Sequence, residues 1–318
     1  MSRLKIGVLA PHTGNAAGPS ALREVGRAAE DLGYDSMWVG DHIVLPAVQE
    51  SSYPYGGEDV DDSYEVPSDR PFLEATTSLA YLSAVTEQIT LGVSVAILPY
   101  RPPAVWAKTI GTLDVLAEGR IVMGAGVGWL KEEFDVLGAE FSTRGRQVDE
   151  TLRFLRTTWA QDGPVSFDGE FSRVDGMHIN PSRARGSTPP VWVGGNGLTA
   201  RRRTARLGDV WHPHVRTTSP ALVHASREEM GELAAAAGRG DVEIGVALHC
   251  PLVLTERVGG SPCELGRVEG PPAFLADTLG AYEEAGLDHI VLTFGGSPSR
   301  RIRTLETVAD AVGLSASR

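Results

Sequence analysis

Short apolar runs alternate with helical patterns along the 318-residue chain, and no stretch resembles a linker between domains. Parallel strands that are covered on both faces are continuously apolar, and each is followed by a crossover helix. Eight such units predict an α/β fold, a (β/α)8 TIM barrel in a single domain over residues 1–318, in preference to an open doubly wound sheet. The predicted strands are Lys5–Ala10, Met37–Gly40, Ile89–Leu98, a run from Ile121, Pro190–Gly194, Asp209–Trp211, Ile244–Leu254 and His289–Phe294.

Two insertions interrupt this alternation, one after the second strand and one after the fourth. The first, Ile43–Arg70, is acidic and lacks helical or strand periodicity; a loop of that length in a compact domain is usually a lid or disordered. The second is a predicted β-hairpin over Val165–Ile179 with a turn at Asp168-Gly169. The predicted helices start near Ser20 and continue with Phe72–Thr86, Pro102–Ala117, Leu130–Leu137, Arg144–Ala160, Thr199–Leu207, Ala221–Ala237, Pro272–Ala285 and a last helix.

The formal net charge of −12 limits the partners of the chain. A surface that is negative overall repels phosphate, so neither nucleic acid nor an anionic membrane is expected as a partner. The only cysteines are Cys250 and Cys263, which excludes a disulfide framework and a cysteine zinc site. No apolar run is long enough to span a bilayer or to act as a signal region, so the expected location is the cytoplasm.

Polar residues at the carboxyl ends of the predicted strands are the candidates for an active site, because TIM-barrel sites lie at that face. His12 follows the first strand, and Asp41 and His42 follow the second. A histidine beside a carboxylate can exchange protons near neutral pH. The alternative is that Asp41 caps a helix and that His42 is a polar residue satisfied by hydrogen bonds.

A second group of histidines follows the sixth strand. His212 and His214 flank Pro213, and with His12 or His42 they could form a metal site. No second carboxylate cluster accompanies them, so no metal is predicted.

Glycine-rich loops follow the fourth and fifth strands, at Gly124–Gly128 and Gly194–Gly197. Exposed N–H groups that lead into a helix suit a phosphate, and Arg201–Arg203 at the start of the next helix would add positive charge. Packing of strand against helix explains the same glycines without a ligand. Barrel phosphates more often lie after strands seven and eight, so Gly295-Gly296 is the competing loop.

Five sequence motifs occur in an order that is recognisable as a set. They are Met37–His42, Leu91–Val95 with Pro99 and Arg101, Gly119-Arg120, Gly126–Trp129 and Val193–Gly197. Over nearly its full length the chain resembles the luciferase-like flavin- and deazaflavin-dependent oxidoreductases. Within them it is most similar to the actinobacterial branch that uses the deazaflavin coenzyme F-420.

The resemblance implies where a tricyclic redox ring and its phosphate tail would bind. The ring would lie over the first four strands, with His42 beside its reactive face and Asp41 next to it as the two catalytic residues. Ser94-Val95 match a non-prolyl cis peptide bond that bulges against the ring, and the two glycine loops match the phosphate-binding loops. The implied cofactor-binding residues are His12, Asp41, Ser94, Val95, Gly126, Val127, Gly128, Gly194, Gly195 and Asn196.

One position departs from the pattern of the resembling family. Its sugar-phosphate dehydrogenases carry a catalytic glutamate directly after the glycine loop, where this chain has Trp129. Tryptophan cannot exchange a proton there, so that activity is not transferred, but the ring could wall an apolar substrate pocket. Glu132 and Glu133 lie a turn later and are expected to be exposed.

These observations predict an oxidoreductase that transfers hydride between coenzyme F-420 and a small organic substrate. A monooxygenase that uses reduced FMN and dioxygen is the first alternative. A cofactor-free or metal-dependent barrel hydrolase or isomerase that uses His42, His212 and His214 is the second, and a protein that binds flavin without catalysis is the third. The sequence names no substrate, and an exposed apolar helix face would favour a homodimer.

Overall fold

Strands and helices alternate along the chain of the computed structural model, which describes residues 3–53, 68–184 and 188–315. The strands in chain order are β1 (Lys5–Leu9), β2 (Ser36–Val39), β3 (Thr90–Val93), β4 (Ala96–Ile97), β5 (Ile121–Gly126), β6 (Val165–Asp168), β7 (Arg173–Met177), β8 (Val191–Gly194), β9 (Val210–His212), β10 (Gly245–Leu254), β11 (Val268–Gly270) and β12 (His289–Thr293). The α-helices are α1 (Pro19–Asp31), α2 (Ala75–Val85), α3 (Pro103–Leu116), α4 (Lys131–Leu137), α5 (Arg144–Trp159), α6 (Leu198–Leu207), α7 (Pro220–Ala236), α8 (Pro262–Leu265), α9 (Pro272–Glu284) and α10 (Pro298–Val312).

Eight parallel strands close into a barrel in the order β1, β2, β3, β5, β8, β9, β10 and β12. The circle closes because β10 pairs with β9 on one side and with β12 on the other, and β12 pairs with β1. Helices connect these strands on the outside, as right-handed crossovers between parallel strands require. The predicted (β/α)8 TIM barrel is confirmed.

The largest difference from the predicted strands lies at Ile89–Leu98. The structure divides this run into β3 and β4 around a cis peptide bond between Ser94 and Val95, and β4 pairs with β5 instead of extending the β2–β3 ladder. The resemblance implied such a bond, whereas the apolar pattern alone predicted one strand.

The two insertions have different outcomes. The hairpin β6–β7 is present as an antiparallel pair after the fourth barrel strand, and its turn spans residues 169–172 instead of two residues. The predicted insertion Ile43–Arg70 lies partly outside the described residues. After the seventh barrel strand, the short elements α8 and β11 form an addition that the sequence did not predict.

Large apolar side chains fill the inside of the barrel. Trp38 and Trp192 pack with ring centroids 4.5 Å apart, beside Val122, Ala247 and Val291. Most of the remaining core lies between the strands and the helices. The filled interior places any ligand at a strand rim and not within the barrel. None of the helices in the described ranges is long and apolar enough to cross a membrane.

Candidate active site

The carboxyl ends of β1, β2, β3 and β9 are joined by hydrogen bonds at one rim. The amide of Gly40 donates to His12 Nε2 at 2.8 Å, which links the ends of β1 and β2. Ser94 Oγ lies 2.9 Å from Nε2 of His212, which links the end of β3 to β9 across the barrel mouth. The ends of β1 and β2, and those of β3 and β9, are thus linked at this rim, although the predicted third strand ran past Ser94 to Leu98.

Val95 fills the space that two of the predicted phosphate-loop glycines leave. A Cβ atom added at Gly126 would lie 2.3 Å from a methyl carbon of Val95, and one added at Gly194 would lie 2.9 Å from its other methyl carbon. These distances are too short for any side chain. The packing explanation therefore accounts for Gly126 and Gly194, since both admit the residue after the cis bond.

The remaining residues of the two loops differ in their conformations and contacts. Gly128 (φ +79°) and Gly195 (φ +120°) adopt left-handed conformations that favour glycine. Asn196 accepts a hydrogen bond from the amide of His214 through Oδ1 at 2.9 Å, and Val127 is partly buried. Helix α6 follows this loop, and no side chain caps its first turn.

The expected basic patch at Arg201–Arg203 does not form. Arg203 is buried and pairs with Asp149 of α5, and Arg201 pairs with Glu229 of α7 at 2.8 Å. Arg202 is exposed. Two of the three positive charges are thus neutralised by carboxylates, so the triplet gives no concentrated charge for an anionic tail.

Asp41 lies beneath the rim and holds Arg101. Its carboxylate accepts two hydrogen bonds from the Arg101 guanidinium, at 2.9 and 3.0 Å, and one from the amide of Ile97 at 3.0 Å. Burial raises the pKa of Asp41, and the paired guanidinium opposes that shift. Burial alone would lower the pKa of Arg101, but Asp41 and Glu74 raise it. These contacts favour a positioning role for Asp41, next to the cis bond.

Hydrogen bonds assign the tautomers of the two fully enclosed histidines at the rim. Nδ1 of His12 donates to the carbonyl of Ala10 at 2.9 Å, and burial lowers its pKa to about 4. Nδ1 of His212 donates to the carbonyl of Ala247 at 3.2 Å, and burial lowers its pKa to about 3. Both are therefore neutral at pH 7, and both use Nε2 as an acceptor within the protein. The Ser94 hydroxyl accordingly donates to His212 and offers a ligand only its lone pairs.

His42 differs from these two histidines in its partner. Its Nδ1 lies 2.7 Å from Oε2 of Glu133, a fully buried carboxylate, and within the described part of the chain its Nε2 has no hydrogen-bond partner. Burial would raise the pKa of Glu133, but His42, the amide of Ile43 and the hydroxyl of Tyr100 lower it. The prediction that Glu133 is exposed is wrong, and this carboxylate is the site residue that the sequence analysis missed.

A helical pattern could have identified Glu133. Leu130, Glu133, Phe134 and Leu137 have the spacing of one helix face, and the structure turns that face inward at α4. A carboxylate on an apolar helix face requires a buried partner. His42 is that partner.

Glu132 is partly buried and hydrogen-bonded, so the prediction that it is exposed is also wrong. Its carboxylate accepts hydrogen bonds from the amides of Glu50 and Ser51 and from the Ser51 hydroxyl at 2.6 Å. Its slight burial would raise its pKa, but the contacts with Ser51 and Glu50 lower the pKa to about 2. Adjacent carboxylates of α4 thus hold two points of the segment that follows β2.

Aromatic rings pack near His42. The rings of Phe72 and Trp129 lie nearly perpendicular to the His42 ring, with centroid distances of 5.3 and 6.4 Å. The ring of Tyr53 packs against that of Trp129 with centroids 5.2 Å apart. Trp129 is thus in contact with the candidate site, and its role as the wall of an apolar substrate pocket stays a prediction.

The second histidine group does not form a metal centre. His214 stacks on His249 with ring centroids 5.3 Å apart, and His214 Nδ1 accepts the amide of Arg216 at 3.2 Å. Within residues 3–53, 68–184 and 188–315, no three His, Cys, Asp or Glu residues could hold one ion.

Comparisons with known proteins give relatives that match between 65% and 81% of this chain. An uncharacterized protein of Mycobacterium tuberculosis is 33% identical over 210 residues, 65% of this chain and 71% of the relative. A second uncharacterized protein of that organism is 30% identical over 264 residues, 81% of this chain and 89% of the relative. The phthiodiolone/phenolphthiodiolone dimycocerosates ketoreductase of Mycobacterium bovis is 30% identical over 68% of this chain and 56% of its own length.

Solved structures with the same fold include two kinds of redox enzyme. One is an F-420-dependent secondary alcohol dehydrogenase in complex with an F-420–acetone adduct (TM-score 0.76, 17% identity, 98% of this chain and 99% of that chain). The other is a long-chain alkane monooxygenase (TM-score 0.77, 15% identity, 99% and 93%). The model of the luciferase-like monooxygenase family matches residues 4–257. The chain belongs to the luciferase-like monooxygenase family.

Proposed function

We propose that this chain is an oxidoreductase that transfers hydride between the deazaflavin coenzyme F-420 and a small organic carbonyl or alcohol. The observation that carries the proposal is the state of His42, whose Nδ1 is held by a buried carboxylate while Nε2 lacks a partner among the described residues. Hydride transfer to a carbonyl carbon must be matched by a proton at its oxygen. An imidazole with one free nitrogen is suited to exchange that proton.

Three features of the rim fit a planar ring with an anionic tail. The first turn of α6 has no side-chain cap, so its N–H groups and the positive end of the helix dipole suit a phosphate. The oxygen of Ser94 offers lone pairs to a ring N–H, since its hydrogen is given to His212. Trp129 and Phe72 supply apolar surface beside His42.

In this proposal each chain segment has one task. The bulge at Ser94-Val95 supports the ring, and residues 126–128 and 194–196 hold the tail with their main chain. His12 and Asp41 fix the ends of β1 and β2 through hydrogen bonds. When bound, the coenzyme supplies or accepts the hydride. His42 holds or releases the matching proton at Nε2.

Two similar proteins support carbonyl–alcohol chemistry. One relative carries the name ketoreductase, and one similar structure is an F-420-dependent secondary alcohol dehydrogenase. The similarity to a long-chain alkane monooxygenase favours a second candidate, an FMN-dependent monooxygenase. The basic triplet after β8 no longer favours the more anionic F-420 tail, because Arg201 and Arg203 are paired with carboxylates.

Titration of the purified protein with coenzyme F-420 and, separately, with FMN tests the choice. Tryptophan fluorescence should change on binding, and the Trp129→Phe variant, which keeps an aromatic ring beside His42, should give a smaller signal. We expect saturable binding of F-420 with a Kd on the order of micromolar and no comparable response to FMN. Binding of FMN alone, with dioxygen consumption by the reduced form, would favour the monooxygenase. Binding of neither would overturn the proposal and favour a hydrolase.

A further inference from the structure

Glu133 receives an unusual number of hydrogen bonds for one buried side chain. Its Oε1 accepts the amides of Ile43 and Val44, and its Oε2 accepts the hydroxyl of Tyr100 at 2.9 Å besides contacting His42 Nδ1 at 2.7 Å. The side chain is completely buried. Four polar groups from two other segments therefore converge on a single carboxylate.

The chemistry of these groups leaves one arrangement of hydrogens. Main-chain amides can only donate, so Oε1 must accept from Ile43 and Val44. An ionised carboxylate only accepts, so the hydrogen between Oε2 and His42 lies on Nδ1. The neutral imidazole then has its lone pair on Nε2, and the rings of Trp129 and Phe72 lie near the imidazole.

This pairing distinguishes His42 from the other two histidines of the rim. His12 and His212 donate from Nδ1 to uncharged carbonyl groups, and their Nε2 atoms are occupied. Of these three histidines, only His42 has a charged group as the partner of its Nδ1. A carboxylate behind an imidazole stabilises the imidazolium that forms when Nε2 takes up a proton.

We propose that Glu133 is the positioning residue of this site: it fixes His42 as the Nδ1–H tautomer with Nε2 free for proton exchange. The same carboxylate holds the main chain of the next two residues, so the imidazole and the segment that follows it are set by one group. The consequence for catalysis rests on the proposed function, whereas the tautomer does not. The two can therefore fail separately.

Nitrogen-15 NMR of protein labelled in its histidines tests the assignment without any cofactor, with a His42→Gln variant to identify the signals. In the unmodified protein above neutral pH, His42 should show a protonated Nδ1 and an unprotonated Nε2. In Glu133→Gln, the amide oxygen must still face the Ile43 and Val44 amides, so its NH2 group faces Nδ1. The tautomer should therefore invert to Nε2–H.

Tyr100→Phe is the matched control, because it removes a donor from the same Oε2 and leaves the charge. It should keep the Nδ1–H tautomer. If F-420 binds, Glu133→Gln should bind it within about threefold of the unmodified protein. Its turnover should fall by roughly 10²- to 10⁴-fold, as for an imidazole in the wrong tautomer.

An Nε2–H tautomer in the unmodified protein, or no inversion in a folded Glu133→Gln variant, would overturn the proposal. The spectrum of the unmodified protein decides the matter even if Glu133→Gln fails to fold. Inversion together with unchanged turnover would overturn the positioning role and keep the tautomer assignment. Failure of both F-420 and FMN to bind would count against the proposed function alone.

Discussion

Replacement of Arg101 by methionine removes the partner of a buried carboxylate. Asp41 is fully buried in its side chain, and Arg101 is 14% exposed. Methionine keeps an apolar stem beside Trp106, over whose ring the Arg101 guanidinium lies at 4.5 Å. The variant therefore isolates the loss of charge and hydrogen bonds from the loss of packing.

The expected cost at pH 7 is about 3–5 kcal/mol of unfolding free energy, the usual cost of leaving one charge of a buried pair alone. Loss of the contact with the half-exposed Glu74 adds under about 1 kcal/mol. Without Arg101, burial raises the pKa of Asp41 unopposed. A carboxyl whose pKa is raised by folding lowers the free energy of unfolding by its full amount above that folded pKa. This loss of stability shrinks as the pH falls from the folded pKa towards the unfolded pKa. The deficit should thus be smaller at pH 5 than at pH 7.

Urea unfolding at both pH values measures this deficit. The double variant Asp41→Asn with Arg101→Met is the control, since it buries no unpaired charge and its amide oxygen can still accept from Ile97. It should be more stable than Arg101→Met alone at pH 7, and its deficit should vary little with pH. A cost under about 1 kcal/mol for Arg101→Met, or an equal cost in both variants, would refute the reasoning.

Three further predictions concern single positions. Gly126→Ala should lose about 1–3 kcal/mol in urea unfolding, because its Cβ would lie 2.3 Å from Val95; Gly280→Ala in α9, where nothing lies within 4 Å, should gain about 0.5–1 kcal/mol. His42→Ala should lose turnover while F-420 affinity, measured by titration, stays within about threefold. Because burial lowers the pKa of His212 from 6.5 to about 3, that residue should cost about 1.4 kcal/mol of unfolding free energy for each pH unit between about 6 and about 3, measured by urea unfolding.

Each of these has an outcome that contradicts it. Equal stabilities of Gly126→Ala and Gly280→Ala would show that Val95 can move aside. Tenfold weaker F-420 binding by His42→Ala would place that residue in cofactor binding. Stability that is constant between pH 7 and pH 5 would contradict a neutral, buried His212.

The barrel strands were predictable because buried parallel strands are continuously apolar. The division of Ile89–Leu98 was not, since a cis bond leaves no mark on hydrophobic periodicity and came only from the resemblance. The short elements α8 and β11 were missed for another reason. They have four and three residues, which is too few for a helical or strand periodicity to be recognised.

The site was predictable as far as topology decides it. Strand order brings Asp41 and His42 to the rim, as their positions after the second strand predicted, whereas Ser94 was named only through the resemblance. The partners of charged residues depend on tertiary contacts instead. Glu133 was expected in water, and Arg203 was expected beside a phosphate although it pairs with Asp149, 54 residues away in sequence.

Glu132 and Glu133 bind the segment after β2 mostly through its amides, those of Ile43, Val44, Glu50 and Ser51. Every residue except proline carries that group, so the anchoring is largely indifferent to which side chains the segment displays. Substitutions there would change the side chains that the segment displays while the attachment to α4 persists. Under the function we propose, substrate preference would then be free to diverge between relatives without a change in His42 or Glu133.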